Sequence, residues 1–171
     1  MLESVDLAFA QMVESARRAS SELSHAGIPN RVVGGVAVFL HVDAVSPIAA
    51  RLTPDVDLAI QSDNLAAASR AFESLGYVDK SSSFRDPVNP RMWHAIHLVT
   101  EPVPDSEPVR TKEGILIAPV ADLVRMKLTS FRLKDKVHIQ DLDGVGLITT
   151  EIEQSLSEPL RERLAEVRAT E

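Results

Sequence analysis

Two aspartates in the segment "DVDLAI" have the residue type and the spacing of a cation site. Asp55 and Asp57 alternate with apolar residues, as on a strand with one buried face. Alternate residues of a strand share a face, and residues two apart are separated by about 7 Å. Both carboxylates can therefore converge on one divalent cation, or on two cations about 4 Å apart. The structural alternative is a strand-start Asp55 satisfied by a loop N–H group or by Arg51, and Asp141-x-Asp143 shows that such pairs also arise by chance.

A pair of glycines, Gly34-Gly35, interrupts the apolar run "RVVGGVAVFL" that begins at Arg31. Glycine weakens a strand or a helix by about 0.5–1 kcal/mol relative to alanine, so this position must need a bare backbone. A strand that opens through glycines into a helix N-terminus forms a phosphate-sized recess with free N–H donors. Gly34 and Gly35 would then line a triphosphate site, while Asp55 and Asp57 would hold its Mg²⁺. The alternative is a tight turn.

The elements that must position these residues follow from hydrophobic periodicity and from glycine and proline signals. Helices are predicted over residues 2–24, 36–41, 62–75 and 119–142, the last in one or two pieces, and from residue 149 onward with an interruption at Pro159. Strands are predicted over residues 31–34, 55–60 and 92–99, together with a hairpin of 109–112 and 114–118. Residues 42–54 and 79–91 are predicted loops.

This order of elements predicts an α+β (α/β) fold, with a small mixed sheet flanked by helices and a helical C-terminal part. The length of 171 residues predicts a single domain over 1–171. Its core is expected at about 28–145, with the N-terminal helix 2–24 and the C-terminal helix 149–170 packed on it.

Composition limits the classes of function. A formal net charge of −7 argues against non-specific DNA or RNA binding as the main role, although a local basic site is compatible with it. The absence of cysteine excludes disulfides and thiolate metal sites and fits a cytoplasmic location. The acidic N-terminus is unlike a signal peptide, and no apolar stretch is as long as a membrane span.

Two parts of the sequence resemble a known family. "VVGGVAVFLHV…ARLTPDVDLAI" resembles the opening of the minimal nucleotidyltransferase superfamily, in which Gly-Gly or Gly-Ser precedes an Asp-hydrophobic-Asp motif. The string from Arg51 to Asp57 is especially similar to the branch that includes abortive-infection and type IV toxin–antitoxin nucleotidyltransferases. "LVRMKLTSFRLKDKVHIQDL", residues 123–142, is similar to later motifs of that branch. The two matches together span residues 31–142.

The resemblance implies transfer of a nucleoside monophosphate from an NTP to an acceptor hydroxyl on a small molecule, a protein or an RNA end. It implies that Asp55 and Asp57 are metal ligands for one or two Mg²⁺ ions, and that Gly34 and Gly35 line the phosphate pocket. Thr53 would contact a phosphate or position the strand. A cognate antitoxin or another protein is a possible partner.

The downstream match supplies cations that such chemistry needs. If residues 123–142 form one straight helix, Lys127, Lys134, His138 and Asp141 share a narrow stripe with Phe131. Lys127 and Asp141 are then candidate catalytic residues, and Lys134 joins Arg51 as a nucleotide-binding candidate. If the helix breaks near residue 133, the stripe dissolves, and Asp135 becomes a candidate helix cap.

The third carboxylate of active superfamily members is not evident here. On the strand "MWHAIHLVTE" no acid precedes Glu101, and His97 occupies the expected place. The sequence therefore leaves open a two-carboxylate mechanism, substitution by Glu101, or a fold kept for nucleotide or partner binding without turnover. His97 is a candidate proton acceptor or a half-buried structural histidine. An interaction protein that docks through its N- or C-terminal helix is a third hypothesis.

Overall fold

The computed structural model describes residues 2–53, 55–79, 83–88, 95–100 and 106–170, with side chains from Leu7 onward. The chain divides into two compact units. The first comprises Met1–Val36 and Leu52–Ala118, and the second comprises Ala37–Arg51 and Pro119–Glu171. The single-domain organisation stays a prediction. Within the described residues, no helix combines the length and the hydrophobicity needed to cross a bilayer.

The first unit is built on a mixed β-sheet. Its strands, within the described residues, are β1 (Arg31–Val33), β2 (Val56–Ala59), β3 (Val78–Asp79), β4 (Ser83–Arg85), β5 (Ile96–Val99), β6 (Val109–Arg110) and β7 (Leu116–Ile117). Their order across the sheet is β3-β4-β5-β2-β1-β7-β6. β2 lies between antiparallel β1 and parallel β5, and β1 also pairs in parallel with β7. The remaining neighbours are antiparallel, including the predicted hairpin of β6 and β7.

The helices of the first unit pack on this sheet. Helix α1 (Leu2–His25) contacts β1 and β2, and buries Met12, Ala16, Ala19 and Leu23 at spacings of three and four. It is followed by Gly27, whose φ of 75° suits a helix C-terminus. A short 3₁₀ turn (Ser62–Asn64) leads into helix α3 (Leu65–Ser74), as the sequence predicts.

The second unit is helical throughout its regular elements in the described residues. It contains most of helix α2 (Gly34–Val45), and then α4 (Val120–Ser130), α5 (Leu133–Gly144), α6 (Thr150–Ser155) and α7 (Glu158–Arg168). Helices α4, α5 and α7 pack against one another, and Leu123, Leu128, Ile139 and Leu142 of α4 and α5 are fully buried. The predicted α+β fold, with a mixed sheet, flanking helices and a helical C-terminal part, is confirmed.

Several predicted boundaries are wrong. Helix α2 begins at Gly34 and continues to Val45, so the first residues of the predicted loop 42–54 are helical. The predicted loop 79–91 contains β4, whose three residues are too few to show a periodic pattern. The C-terminal segment 149–170 is interrupted, as predicted, but the break between α6 and α7 precedes Glu158 and does not lie at Pro159. Pro159 lies in the first turn of α7, where its missing N–H group needs no partner.

Candidate active site

The two predicted metal ligands lie at one edge of β2 in the first unit. Val56 and Leu58 are fully buried, whereas Asp57 is half-buried and the Asp55 side chain is 43% exposed. Strand alternation therefore places both carboxylates on the face opposite the buried residues, as predicted. The structure places Asp57 against Gly34 and Thr53 against Gly35, and these four residues belong to the same unit as Asp55.

Gly34 is required by its backbone and by its neighbour. Its φ of 67° lies in the left-handed region, where a side chain is strained. A Cβ atom built at Gly34 would collide with the Asp57 carboxylate, whose Cγ would lie 2.9 Å from it. Asp57 therefore lies directly against the start of α2. The partial positive charge of a helix N-terminus favours a carboxylate at this place.

Gly35 is required by a different side chain. A Cβ atom at Gly35 would lie 2.6 Å from Thr53 Oγ1 and 2.9 Å from Thr53 Cβ. Both glycines are buried, and the Asp57 and Thr53 side chains lie against them. These contacts within the fold thus explain why both positions need a bare backbone. The same contacts hold the Asp57 and Thr53 side chains at the start of α2. The predicted phosphate contact of Gly34 and Gly35 stays a prediction.

His97 completes the group of polar residues on this face. Strand β5 runs parallel to β2, and its His97 is the register partner of Asp57. The His97 Nε2 atom lies 4.0 Å from Asp55 Oδ1, and the His97 side chain is 38% exposed. The sequence identified His97 as the residue in the place of an acid. Glu101, the alternative acid, lies outside the described residues.

The donor atoms of this face are suited to a hard divalent cation. Mg²⁺ is commonly held by one or two protein carboxylates, with its other ligands coming from water and substrate phosphates. Asp55 and Asp57 would supply these two carboxylates, so the residues present fit the ion. Across the described residues, no group of three or more His, Asp or Glu side chains could hold a metal ion.

Lys127, a predicted catalytic residue, lies in a buried ion pair of the second unit. Its Nζ atom is 3.0 Å from Asp135 Oδ1, and the two side chains are 8% and 0% exposed. Asp135 also accepts hydrogen bonds from Ser130 Oγ, and from the backbone N and Nε of Arg132. Burial by itself raises the pKa of Asp135, but the bonds from Arg132, Ser130 and Lys127 outweigh it and hold this pKa well below its usual range. Asp135 is thus the predicted helix cap, and in addition the buried partner of Lys127.

Of the two alternatives for residues 123–142, the break near residue 133 is confirmed and the single straight helix is wrong. Helix α4 ends at Ser130, and Phe131 takes a left-handed conformation with φ of 49°. Helix α5 begins at Leu133. The residues from Lys127 to Asp141 therefore do not form the stripe that one continuous helix would give. Lys134 is exposed at the start of α5.

His138, another member of that stripe, is half-buried on α5. Its Nδ1 atom has no hydrogen-bond partner among the described residues. Burial, followed by the charge of Lys127, lowers the pKa of His138 to about 4. The imidazole is therefore neutral at physiological pH.

Arg51 and Asp141, predicted for two separate roles, pair with each other within the second unit. Arg51 Nε lies 3.0 Å from Asp141 Oδ1, with the Arg51 side chain 67% exposed and that of Asp141 7% exposed. Burial raises the pKa of Asp141, and the charge of Arg51 opposes this shift. The contact was not predicted, because residues 90 positions apart in sequence give no local signal of their pairing.

Comparisons with known proteins give little information about the function of this chain. No protein-family model matches the chain, and no curated protein matches it significantly. Among solved structures, the chain is similar to that of the antibiotic-resistance factor ANT(2'')-Ia, with a TM-score of 0.49 and 11% sequence identity. The similarity covers 94% of this chain and 84% of that chain. A similarity this weak does not identify a function, so the function has to be inferred from the residues of this chain.

Proposed function

We propose that this protein is a nucleotidyltransferase that moves a nucleoside monophosphate from an NTP to an acceptor hydroxyl. The observation that carries the proposal is the arrangement at the start of α2. Two carboxylates share a half-exposed strand face, and one of them, Asp57, lies against Gly34 at the N-terminus of a 12-residue helix. Cation ligands and a helix N-terminus in contact are the combination that a metal–triphosphate ligand requires.

The chemistry asks little of the protein beyond position and charge. The acceptor oxygen forms a bond to the α-phosphorus, the bond from that phosphorus to the bridging oxygen breaks, and pyrophosphate leaves. The acceptor proton passes to solvent. Asp55 and Asp57 would hold the Mg²⁺, which supplies neutralisation of the phosphate charge. Thr53 packs against Gly35, and this contact helps to keep the aspartates beside the helix N-terminus.

The roles predicted for residues of the second unit are supported by fewer structural observations. Lys127 and Asp141 remain predicted catalytic residues, and Arg51 and Lys134 remain predicted nucleotide contacts. A cognate antitoxin partner, the acceptor and a cytoplasmic location also stay predictions.

The test is a titration of each of the four NTPs with Mg²⁺, with pyrophosphate monitored in the same samples. The wild type is compared with Asp55→Asn/Asp57→Asn and with Asp63→Asn/Asp79→Asn. The second variant removes the same charge at two exposed aspartates away from the site. We expect saturable binding in the wild type and in the control, and none in the site variant. Equal binding by all three proteins contradicts the site, and absence of binding by the wild type contradicts the proposal.

A second candidate is a nucleotide-binding module without turnover. The observation that favours it is His97, a histidine where an active enzyme would carry an acid beside Asp57. This candidate predicts the same binding with no pyrophosphate release for any acceptor. Steady release that Asp57→Ala abolishes would exclude it.

A further inference from the structure

The first unit contains a polar cleft between one face of α1 and the β6–β7 hairpin. Its volume is about 240 Å³. Liquid water occupies about 30 Å³ per molecule, so the cleft has the volume of about eight waters and suits a small molecule. None of its lining residues belongs to the candidate active site. The polar side chains that line it are those of Arg17, Ser20, Ser21, Ser24, Arg110 and Glu113.

The charges of this cleft favour an anionic ligand. Arg17 and Arg110 are accompanied by one lining carboxylate, that of Glu113, so the lining carries one positive charge in excess. Arg17 is neutralised by Glu14, to which its Nε and Nη2 atoms donate at 2.8 Å and 2.6 Å. Arg110 donates to the Gly114 carbonyl at 3.0 Å, and forms no ion pair with the described residues. Most of the N–H donors of Arg110 are therefore available to carboxylate or phosphate oxygens.

The serine side chains of the cleft offer hydrogen-bond acceptors. Ser20 is 5% exposed and donates its hydroxyl proton to Asn30 Oδ1 at 2.7 Å. Ser24 donates its own to the Ser20 carbonyl at 3.0 Å. The orientation of the Asn30 amide is fixed, because its Nδ2 donates to the backbone carbonyls of Ser20 and Ile28. A hydroxyl oxygen has two lone pairs and Asn30 uses one of those on Ser24, so both serines can still accept hydrogen bonds from a ligand.

A cleft with guanidinium donors and hydroxyl acceptors is complementary to a molecule that carries both a negative group and hydroxyl groups. We propose that this cleft binds a small hydroxylated anion, namely a polyol with a phosphate or a carboxylate group. Arg110 and Arg17 contact the anionic oxygens, and Ser20 and Ser24 accept hydrogen bonds from the hydroxyl groups. This inference goes beyond the proposed function, because the cleft is a second site that requires neither a cation nor an NTP.

The experiment measures the binding of defined probes without divalent cations and without NTP. Glycerol 3-phosphate and glycerate carry the two kinds of anionic group, glycerol lacks the charge, and inorganic phosphate lacks the polyol. Isothermal titration calorimetry gives the affinities, and NMR shifts of the backbone amides locate the site. Arg110→Gln removes the charge, and Ser21→Leu fills the cleft. The matched control is Arg70→Gln, which removes the same charge at an exposed arginine of α3.

We expect the wild type and Arg70→Gln to bind at least one of the two anionic polyols with the same affinity, and the amides of Ser24 and Gly114 to shift. Arg110→Gln should weaken this binding at least about tenfold, because charge-assisted hydrogen bonds are lost. Ser21→Leu should abolish the binding. Circular dichroism verifies that each variant is folded.

Four results overturn the inference. They are no saturable binding of either anionic polyol, equal binding of glycerol, equal binding of inorganic phosphate, and equal affinities of Arg110→Gln and Arg70→Gln. A preference for glycerol 3-phosphate or for glycerate identifies the anionic group.

The outcomes are separate from those of the proposed function. Asp55→Asn/Asp57→Asn should bind the polyol probe as the wild type does, and loss of binding in this variant would place the probe at the candidate active site and overturn the inference. The Mg²⁺–NTP titration tests the proposed function independently, since it contains no polyol probe.

Discussion

Two pairs of ionisable side chains lie in opposite environments. One is the Asp55–His97 pair of the first unit, and the other is the Lys127–Asp135 pair of the second unit. Asp55 and His97 are 43% and 38% exposed, and their atoms stay 4.0 Å apart. Lys127 and Asp135 are 8% and 0% exposed, and Asp135 is saturated by further hydrogen bonds from Ser130 and Arg132. An exposed carboxylate can accept a cation at small cost, whereas a buried carboxylate with several hydrogen bonds holds the fold together.

Charge and spacing alone therefore do not separate a site from a structural cluster. In the sequence, Lys127 and Asp57 are both candidates for the same chemistry. In the structure, Lys127 and Asp57 have different neighbours, which indicate different roles. Five sets of substitutions test that separation, beginning with the largest expected loss of stability and ending with the smallest.

Replacement of the buried lysine should give the largest loss of stability. Lys127→Met leaves Asp135 charged and buried without its cation, which typically lowers the free energy of unfolding by about 3–5 kcal/mol. The matched control is Lys136→Met, because Lys136 pairs with Glu166 at the surface, at 2.6 Å. Exposed pairs are worth about 0–1 kcal/mol. Chemical denaturation measures both, and equal losses would contradict a structural role for Lys127.

Replacement of Gly34, the first glycine of the pair, should also lower the free energy of unfolding. Gly34→Ala adds a left-handed strain of about 1–2 kcal/mol and forces the Asp57 carboxylate to move. Gly27→Ala carries a similar strain at φ of 75° but meets nothing within 4 Å. The difference between the two unfolding free energies therefore isolates the approach of Asp57. If the two variants lose the same stability, the contact between Asp57 and Gly34 is energetically unimportant.

The second glycine can be tested by a rescue. Gly35→Ala should be destabilising because its Cβ overlaps Thr53, with a loss of about 1–3 kcal/mol. Thr53→Gly removes the three nearest atoms, so Gly35→Ala should cost less stability in the Thr53→Gly background than in the wild type. Thr53→Ala keeps the Cβ that lies 2.9 Å away, and its rescue should be smaller. A double-mutant cycle with zero coupling would refute this interpretation.

Stability should depend on pH through His138. Because its pKa is about 4 in the folded protein and about 6.5 when unfolded, the unfolded chain binds more protons between these values. The free energy of unfolding should therefore fall as pH is lowered from about 6.5 toward 4. His138→Phe should reduce this slope. Measurements at about pH 5–7 stay above the ordinary aspartate range, and an unchanged slope would show that His138 does not titrate on unfolding.

Removal of the exposed carboxylate should have the smallest effect on stability. Asp55→Asn is expected to change the free energy of unfolding by no more than about 0.5 kcal/mol, as is typical of surface positions. The same variant should lose metal–NTP binding. A large loss of stability in thermal or chemical unfolding would mean that Asp55 belongs with Asp135 as a structural carboxylate.

Local sequence patterns were sufficient to predict most of the elements and the residues that share a strand face. Periods of two and near 3.6 residues are local properties, so they predicted β2, α1 and the α+β class. The same reasoning identified the aspartates, the glycine pair and the possible break between α4 and α5. It failed for β4, which is too short for any period, and for the extent of α2.

The surroundings of each candidate residue became known only from the folded chain. Asp57 against Gly34, Thr53 against Gly35 and Arg51 with Asp141 are contacts between residues distant in sequence. Their geometry depends on strand register and helix packing, which no local pattern encodes. For the same reason, the sequence could not reveal that Lys127 is buried in an ion pair with Asp135. Its catalytic role stays a prediction.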